Sequence, residues 1–243
     1  MALETTSKYN NIKDRAGRGT NAGATVKLSD MFEIEAITEN QDKVMKAWDE
    51  GDHLVLSGSA GTGKTFLACY LALEAVLEKE FHQVVIVRSV VPVRDMGFLP
   101  GSAEEKKDAF ASPYKSIMAE ILGDNAAFNK LINGKTLKFE STSFIRGMTY
   151  DNSVIIVDEM QNLNFHELDS IITRVGNNCR IIFCGDYRQT DFKYDDEKIG
   201  ITKFLNITDQ LKNFTTINFG WEDIVRSDFV RDYIMTKEML GIE

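Results

Sequence analysis

Residues 53–79 read HLVLSGSAGTGKTFLACYLALEAVLEK: a strand-like apolar run, a glycine-rich turn and a helical pattern in immediate succession. The turn, Gly58-Ser59-Ala60-Gly61-Thr62-Gly63-Lys64-Thr65, satisfies every fixed position of the phosphate-loop pattern G-x4-G-K-[ST]. It also stands in the strand–turn–helix setting that the pattern requires. Glycines let the backbone curl so that successive N–H groups point inward at phosphate oxygens. The start of the following helix adds partial positive charge. Lys64 is placed to reach the β- and γ-phosphates, and the Thr65 hydroxyl to ligate Mg2+.

Working outward, apolar β-rich runs alternate with helical patterns. The runs are 53–57, 84–88, 137–139, 154–158, 180–184 and 215–218. Several are apolar without alternation, as expected for strands covered on both faces of a parallel sheet. The helical patterns are 65–79, 104–122, 166–175 and 222–240, and in the third Leu168, Ile171, Ile172 and Val175 form one stripe. Repeated strand–helix units predict an α/β fold, a mostly parallel sheet with helices on both faces and right-handed crossovers. Residues 26–243 are expected to form a single domain. Residues 1–25 read as a flexible arm, since 7–24 is rich in Gly and Asn with Lys8, Lys13, Arg15 and Arg18 against Asp14. The Asp195–Glu197 acidic run reads as solvated surface.

In an open α/β sheet, ligands sit beyond the carboxyl ends of the strands. The run at 154–158 ends in Asp158-Glu159, which places Asp158 to bind Mg2+ and Glu159 to polarise an attacking water. The run at 180–184 leads into Gly185-Asp186-Tyr187-Arg188-Gln189, so Gln189 is a candidate sensor of the γ-phosphate. Arg226 lies in a segment expected to begin a helix and is a candidate finger for phosphoryl charge or an ordinary surface arginine. Gln41 follows Thr38 at a helix start; its paired donor and acceptor suit an adenine edge, and a first-turn helix position explains it equally.

Composition narrows the classes. The chain has 243 residues, 43% of them apolar and 27% charged, which is the balance of a globular protein with a sizeable core. A formal charge of −9 argues against coating nucleic acid through overall charge and leaves room for a local basic groove. Cys69, Cys179 and Cys184 form no close pair, and His53, His82 and His166 are scattered, so no zinc site is expected. There is no run of 18 apolar residues and no apolar leader at the start, so a cytoplasmic chain without membrane contact is expected.

Taken together these elements resemble the PhoH-like family of ATPases. The resemblance runs over about residues 30–240: Asn40-Gln41, the phosphate loop, Val87-Arg88 leading to Gly97-Phe98-Leu99-Pro100-Gly101, Pro113-Tyr114, Phe144-Ile145-Arg146-Gly147, Asp158-Glu159-Met160-Gln161-Asn162, Gly185-Asp186 with Gln189, and Val225-Arg226. The family is similar to the first motor domain of superfamily 1 helicases. The resemblance therefore implies a RecA-like P-loop NTPase core using ATP and Mg2+. It also implies Glu159 as base, Gln189 as γ-phosphate sensor and Arg226 as finger. Met160 and Met148 depart from the family pattern, which usually has Ala and Arg there. Some relatives carry an N-terminal nuclease domain, and the 57 residues before Gly58 are too few for one.

The expected activity is an ATP hydrolase coupled to RNA or single-stranded DNA. A nucleotide-gated assembly protein with slow hydrolysis and a P-loop phosphotransferase are the alternatives. Helicases of this type hold ATP between two RecA-like domains, and this chain has length for one. A finger at Arg226 would then come from a neighbouring copy, which predicts a homo-oligomer, a hexameric ring. Arg88, Arg94, Arg146 and Phe98 are candidate nucleic-acid contacts.

Overall fold

The computed structural model describes residues 26–88, 103–145, 147–186 and 195–241. The arm at 1–25, Arg94, the stretch 97–101 with Phe98, Arg146 and Gln189 lie outside the described residues.

Each β-rich run forms a strand: β1 His53–Gly58, β2 Gln83–Arg88, β3 Leu137–Ser141, β4 Ser153–Asp158, β5 Cys179–Gly185 and β6 Phe214–Phe219. They pair in the order β3-β2-β4-β5-β1-β6, and every pairing is parallel. Alternate side chains serve two cores, as the pleat requires. Leu54, Leu56, Val84, Ile86, Val154, Ile156, Ile182 and Cys184 face one core. Val55, Val85, Val87, Ile155, Val157, Ile181 and Phe183 face the other. A strand with both faces covered gains nothing from polar alternation, which is why these runs are continuously apolar.

The first core is closed by α1 Glu39–Asp49, α2 Lys64–Leu77, α3 Ala103–Leu122 and α4 Ala127–Asn133. Helix α2 buries nine residues from Leu67 to Val76, because it runs beneath the sheet against β2, β4 and β5 with α1 and α3 at its sides. The second core is closed by α5 Thr142–Ile145, α6 Phe165–Ile172 and α7 Asp195–Thr208. Helix α6 carries Leu168 and Ile171 inward, and Asn164 caps its start by accepting from the Glu167 N–H.

The Asp195–Glu197 run opens α7, whose Ile201 and Phe204 are core residues. One expectation needs correction: the segment from residue 222 does not begin a helix. A short 3-10 turn at Trp221–Asp223 is followed by extended chain, and α8 starts at Asp228 and runs to Met239. The reason is local. The buried Asp223 carboxylate accepts from the Gly220 N–H and from Asn40 Nδ2. The Val225 N–H then donates to the Gly61 carbonyl instead of to a helical partner. Among the described residues no helix is long and apolar enough to cross a membrane.

Candidate nucleotide-binding site

The sheet order decides where the chemistry converges. Strand β5 lies between β1 and β4, so the loop after β1 and the acids ending β4 sit one strand apart on the carboxyl edge. Strand β6, on the other side of β1, brings the chain after Phe219 beside the same loop. A side chain at Gly58 is impossible there: its φ is 128°, and a Cβ would stand 2.0 Å from the Phe219 carbonyl oxygen. The loop continues with positive φ at Gly61 and Gly63, and Gly63 is the N-cap of α2.

The side chains of the loop close it. Thr62 Oγ1 donates to the Ser59 carbonyl at 3.1 Å. Lys64 Nζ donates to the Gly58 and Ser59 carbonyls, 2.7 Å each, and to Thr62 Oγ1 at 3.2 Å. Burial lowers the Lys64 pKa, against which Cys184, Asp186, Glu159 and Asp158 act in the opposite direction. Ser59 turns away from the loop's mouth: its Oγ donates to Glu238 of α8 at 3.1 Å.

Beyond the loop, Thr65 Oγ1 donates to Asp158 Oδ1 at 2.9 Å. Asp158 Oδ2 accepts from the Tyr114 hydroxyl of α3 at 2.7 Å. Glu159 follows in a left-handed conformation, φ 54° and ψ 45°, which costs a non-glycine residue about 1–2 kcal/mol. Its Oε2 accepts from Gln161 Nε2 at 2.6 Å, and its Oε1 lies 3.8 Å from the Arg88 guanidinium. Gln161 Oε1 in turn accepts from the Asp186 N–H at 3.2 Å. A Cβ at Gly185 would fall 2.3 Å from that Gln161 oxygen, so the close approach of β5 to the acidic turn needs glycine there.

Gly58, Lys64, Thr65, Asp158, Glu159 and Gln161 line one cavity of about 1170 Å3, which also takes in Ile37, Gln41, Ala60, Val225 and Arg226. Gln41 is buried, and its amide is spent on backbone: Oε1 accepts from the Ile37 N–H at 2.9 Å, and Nε2 donates to the Thr62 carbonyl at 3.4 Å. It thus ties the entry to α1 to the phosphate loop. Arg226 lies over the loop of its own chain, since a Cβ on Gly61 would stand 3.0 Å from Arg226 Cγ and 3.5 Å from its Nε. Pairing of β6 beside β1 is what brings Arg226 beside the loop of its own chain. Arg88 closes β2, as its place at the end of the 84–88 run implies, and lies near Glu159.

The oxygens of Thr65 and Asp158 are hard donors, and Mg2+ is bound through one or two such side chains with phosphates and waters completing its shell. The donor set fits. Among the described residues no group of three or more His, Cys, Asp or Glu side chains forms a metal cage. Cys69 and Cys184 are buried beneath the loop, and burial pushes both thiols well above their usual range.

Tyr114 and Glu238 carry no role in the sequence reading. Tyr114 stands 44 residues before its partner, on a helix, and no spacing rule joins them. Gln161 belongs to the quoted Asp158–Asn162 stretch, but its hydrogen bond from the Asp186 N–H appears only when β5 is placed next to β4.

The sequence profile of the PhoH-like protein family matches residues 33–237. A PhoH-like protein of Synechocystis sp. is 31% identical over 206 residues, covering 84% of this chain and 62% of that protein. Protein PhoH of Escherichia coli K12 is 31% identical over 202 residues, 82% of this chain and 56% of that protein. The chain thus spans 56–62% of the length of these curated relatives. Among solved structures, the large terminase of a thermophilic bacteriophage aligns with a TM-score of 0.51 at 12% identity, over 84% of this chain and 50% of that one. The same terminase in complex with ADP aligns with a TM-score of 0.52 at 14% identity, with the same coverage. At such identities the likeness is one of fold, the RecA-like P-loop ATPase fold.

Proposed function

This chain belongs to the PhoH-like protein family, and on that premise we propose that it is a Mg2+-dependent ATP hydrolase that couples its cycle to RNA or single-stranded DNA. The observation that carries the reading is the convergence of Lys64, the Thr65–Asp158 pair at 2.9 Å and Glu159 on one cavity.

The geometry supports the following roles. Loop N–H groups from Gly58 to Lys64 cradle the phosphates, and the Lys64 ammonium leaves its carbonyl partners to meet the β- and γ-oxygens. Mg2+, held by Thr65 and Asp158, would neutralise phosphate charge as the terminal bond breaks. Glu159 Oε2 is held by Gln161, which leaves Oε1 to take the proton of the attacking water. Arg226, over Gly61, offers a planar fork to the spreading phosphoryl charge. Gln189 remains the proposed γ-phosphate sensor and Gln41 the proposed adenine contact, the latter requiring exchange of its bonds to Ile37 and Thr62. Residues 26–243 act as one ATPase domain in this reading.

The working form is proposed to be a homo-oligomer, a hexameric ring. What supports self-association is α8, where Phe229 is 80% and Tyr233 63% exposed, together with Leu240 just after it at 66%. Contiguous exposed apolar surface is a mark of interaction sites. The inner side of the same helix reaches the loop through Ile234 and Glu238, so a neighbour on its outer side would adjoin the nucleotide site.

The test is phosphate release from ATP with and without single-stranded RNA and DNA, beside native mass. Stimulation by a single strand is the expected result. Equal turnover with every nucleic acid, at full occupancy, favours the nucleotide-gated assembly protein instead.

A further inference from the structure

Asp158 is 5% exposed, and both of its oxygens are engaged. Oδ1 faces Thr65 and Oδ2 faces Tyr114. Tyr114 has no exposed surface at all. Its ring is packed in the core and tilted against Phe139 at 5.5 Å. A hydroxyl held there meets no water, so turning away from the carboxylate would leave it unpaired, and a buried unpaired polar group is costly. The bond therefore holds in both directions: the core fixes the phenol, and the phenol fixes the carboxylate plane.

We infer that Tyr114 is a positioning residue for the nucleotide-bound metal, locking Asp158 so that Oδ1 stays beside the Thr65 hydroxyl. The inference rests on the reading of Thr65 and Asp158 as the Mg2+ donors. The physical basis is general: hydrogen bonds to the far side of a ligating carboxylate orient it, and losing them costs about 10- to 100-fold in metal affinity. Tyr114 does not touch nucleotide in this account and acts through Asp158. The same contact makes α3 a support of the site.

The test is Tyr114→Phe, which keeps the ring and removes the donor. Fluorescent mant-ADP binding is followed as Mg2+ is titrated, and again in EDTA. The expected result is unchanged affinity in EDTA and a rise of about tenfold in the Mg2+ concentration that half-saturates the metal effect. A structural role alone would not separate the two. Identical Mg2+ dependence in wild type and variant overturns this inference alone. Wild-type binding that ignores Mg2+ overturns the reading of the site, and the inference with it. If the variant does not fold, 3,5-difluorotyrosine at position 114 keeps the ring and hydroxyl while changing donor strength. The half-saturating Mg2+ concentration then moves from the wild-type value, and an unmoved value overturns the inference.

Discussion

At Glu159 the chain accepts a left-handed backbone that a carboxylate residue ordinarily avoids. The strain turns the side chain toward Gln161 and Arg88 and leaves Asp158 to face Thr65. Two adjacent acids thereby point at different partners, which an extended strand end could also do but without the 3-10 turn that brings Gln161 back. Lys64 is the other decisive residue. Its ammonium holds two carbonyls and a hydroxyl of the loop, so Lys64→Ala should abolish nucleotide turnover. Turnover within about tenfold of wild type in a steady-state assay would remove Lys64 from the chemistry. A third residue sets a pH response far from the site. His53 Nδ1 accepts from the Ile181 N–H at 3.2 Å. Burial, with help from Arg180, lowers its pKa below 6.5. Below that value the unfolded chain binds a proton that the folded chain resists, so stability falls as pH drops through the window under 6.5. His53→Asn keeps an acceptor and removes the proton site. Urea midpoints at about pH 7.5 and about pH 5.5 should therefore differ less in the variant than in wild type, and equal differences would contradict the assignment.

Among the elements, the connection from β6 to α8 determines the most. Its local sequence looks helical from residue 222, yet Asp223 spends its carboxylate on Gly220 and Asn40, and Val225 binds Gly61. The helix start moves to Asp228 and Arg226 is left over the phosphate loop. None of this was legible in the sequence, because it depends on β6 lying beside β1 in the register Gly58 to Phe219. The strands themselves were legible, since burial on both faces writes continuous apolar runs. The phosphate loop and the Asp158-Glu159 turn were legible because each is contained in a few consecutive residues. Tyr114 and the placement of Arg226 beside its own loop were not, because each partner is chosen by packing. The β1–β6 contact also makes Gly58→Ala a severe change. A methyl would meet the Phe219 carbonyl at 2.0 Å, and we expect a loss above about 3 kcal/mol in urea unfolding. A loss under about 1 kcal/mol would mean that β6 does not hold this register.

For the molecule as a whole, net charge and site are decoupled. In the proposed reading, a chain with formal charge −9 would hold a polyanion through loop N–H groups, the Lys64 ammonium and Mg2+. Any nucleic-acid track must likewise be held by local surface. Arg226 lies beside the loop of its own chain, and the exposed face of α8 is the feature that favours self-association. Phe229→Ser together with Tyr233→Ser should lower the native mass of an assembled form without lowering nucleotide affinity, and an unchanged mass would place the interface elsewhere. The central claim is that Glu159 drives ATP hydrolysis at a loop that binds nucleotide without it. The direct measurement pairs phosphate release with mant-nucleotide binding in wild type and Glu159→Gln. The account predicts wild-type affinity in the variant with turnover reduced roughly 100- to 10,000-fold. Turnover at the wild-type rate in Glu159→Gln, or no nucleotide binding by the wild-type protein, would contradict it.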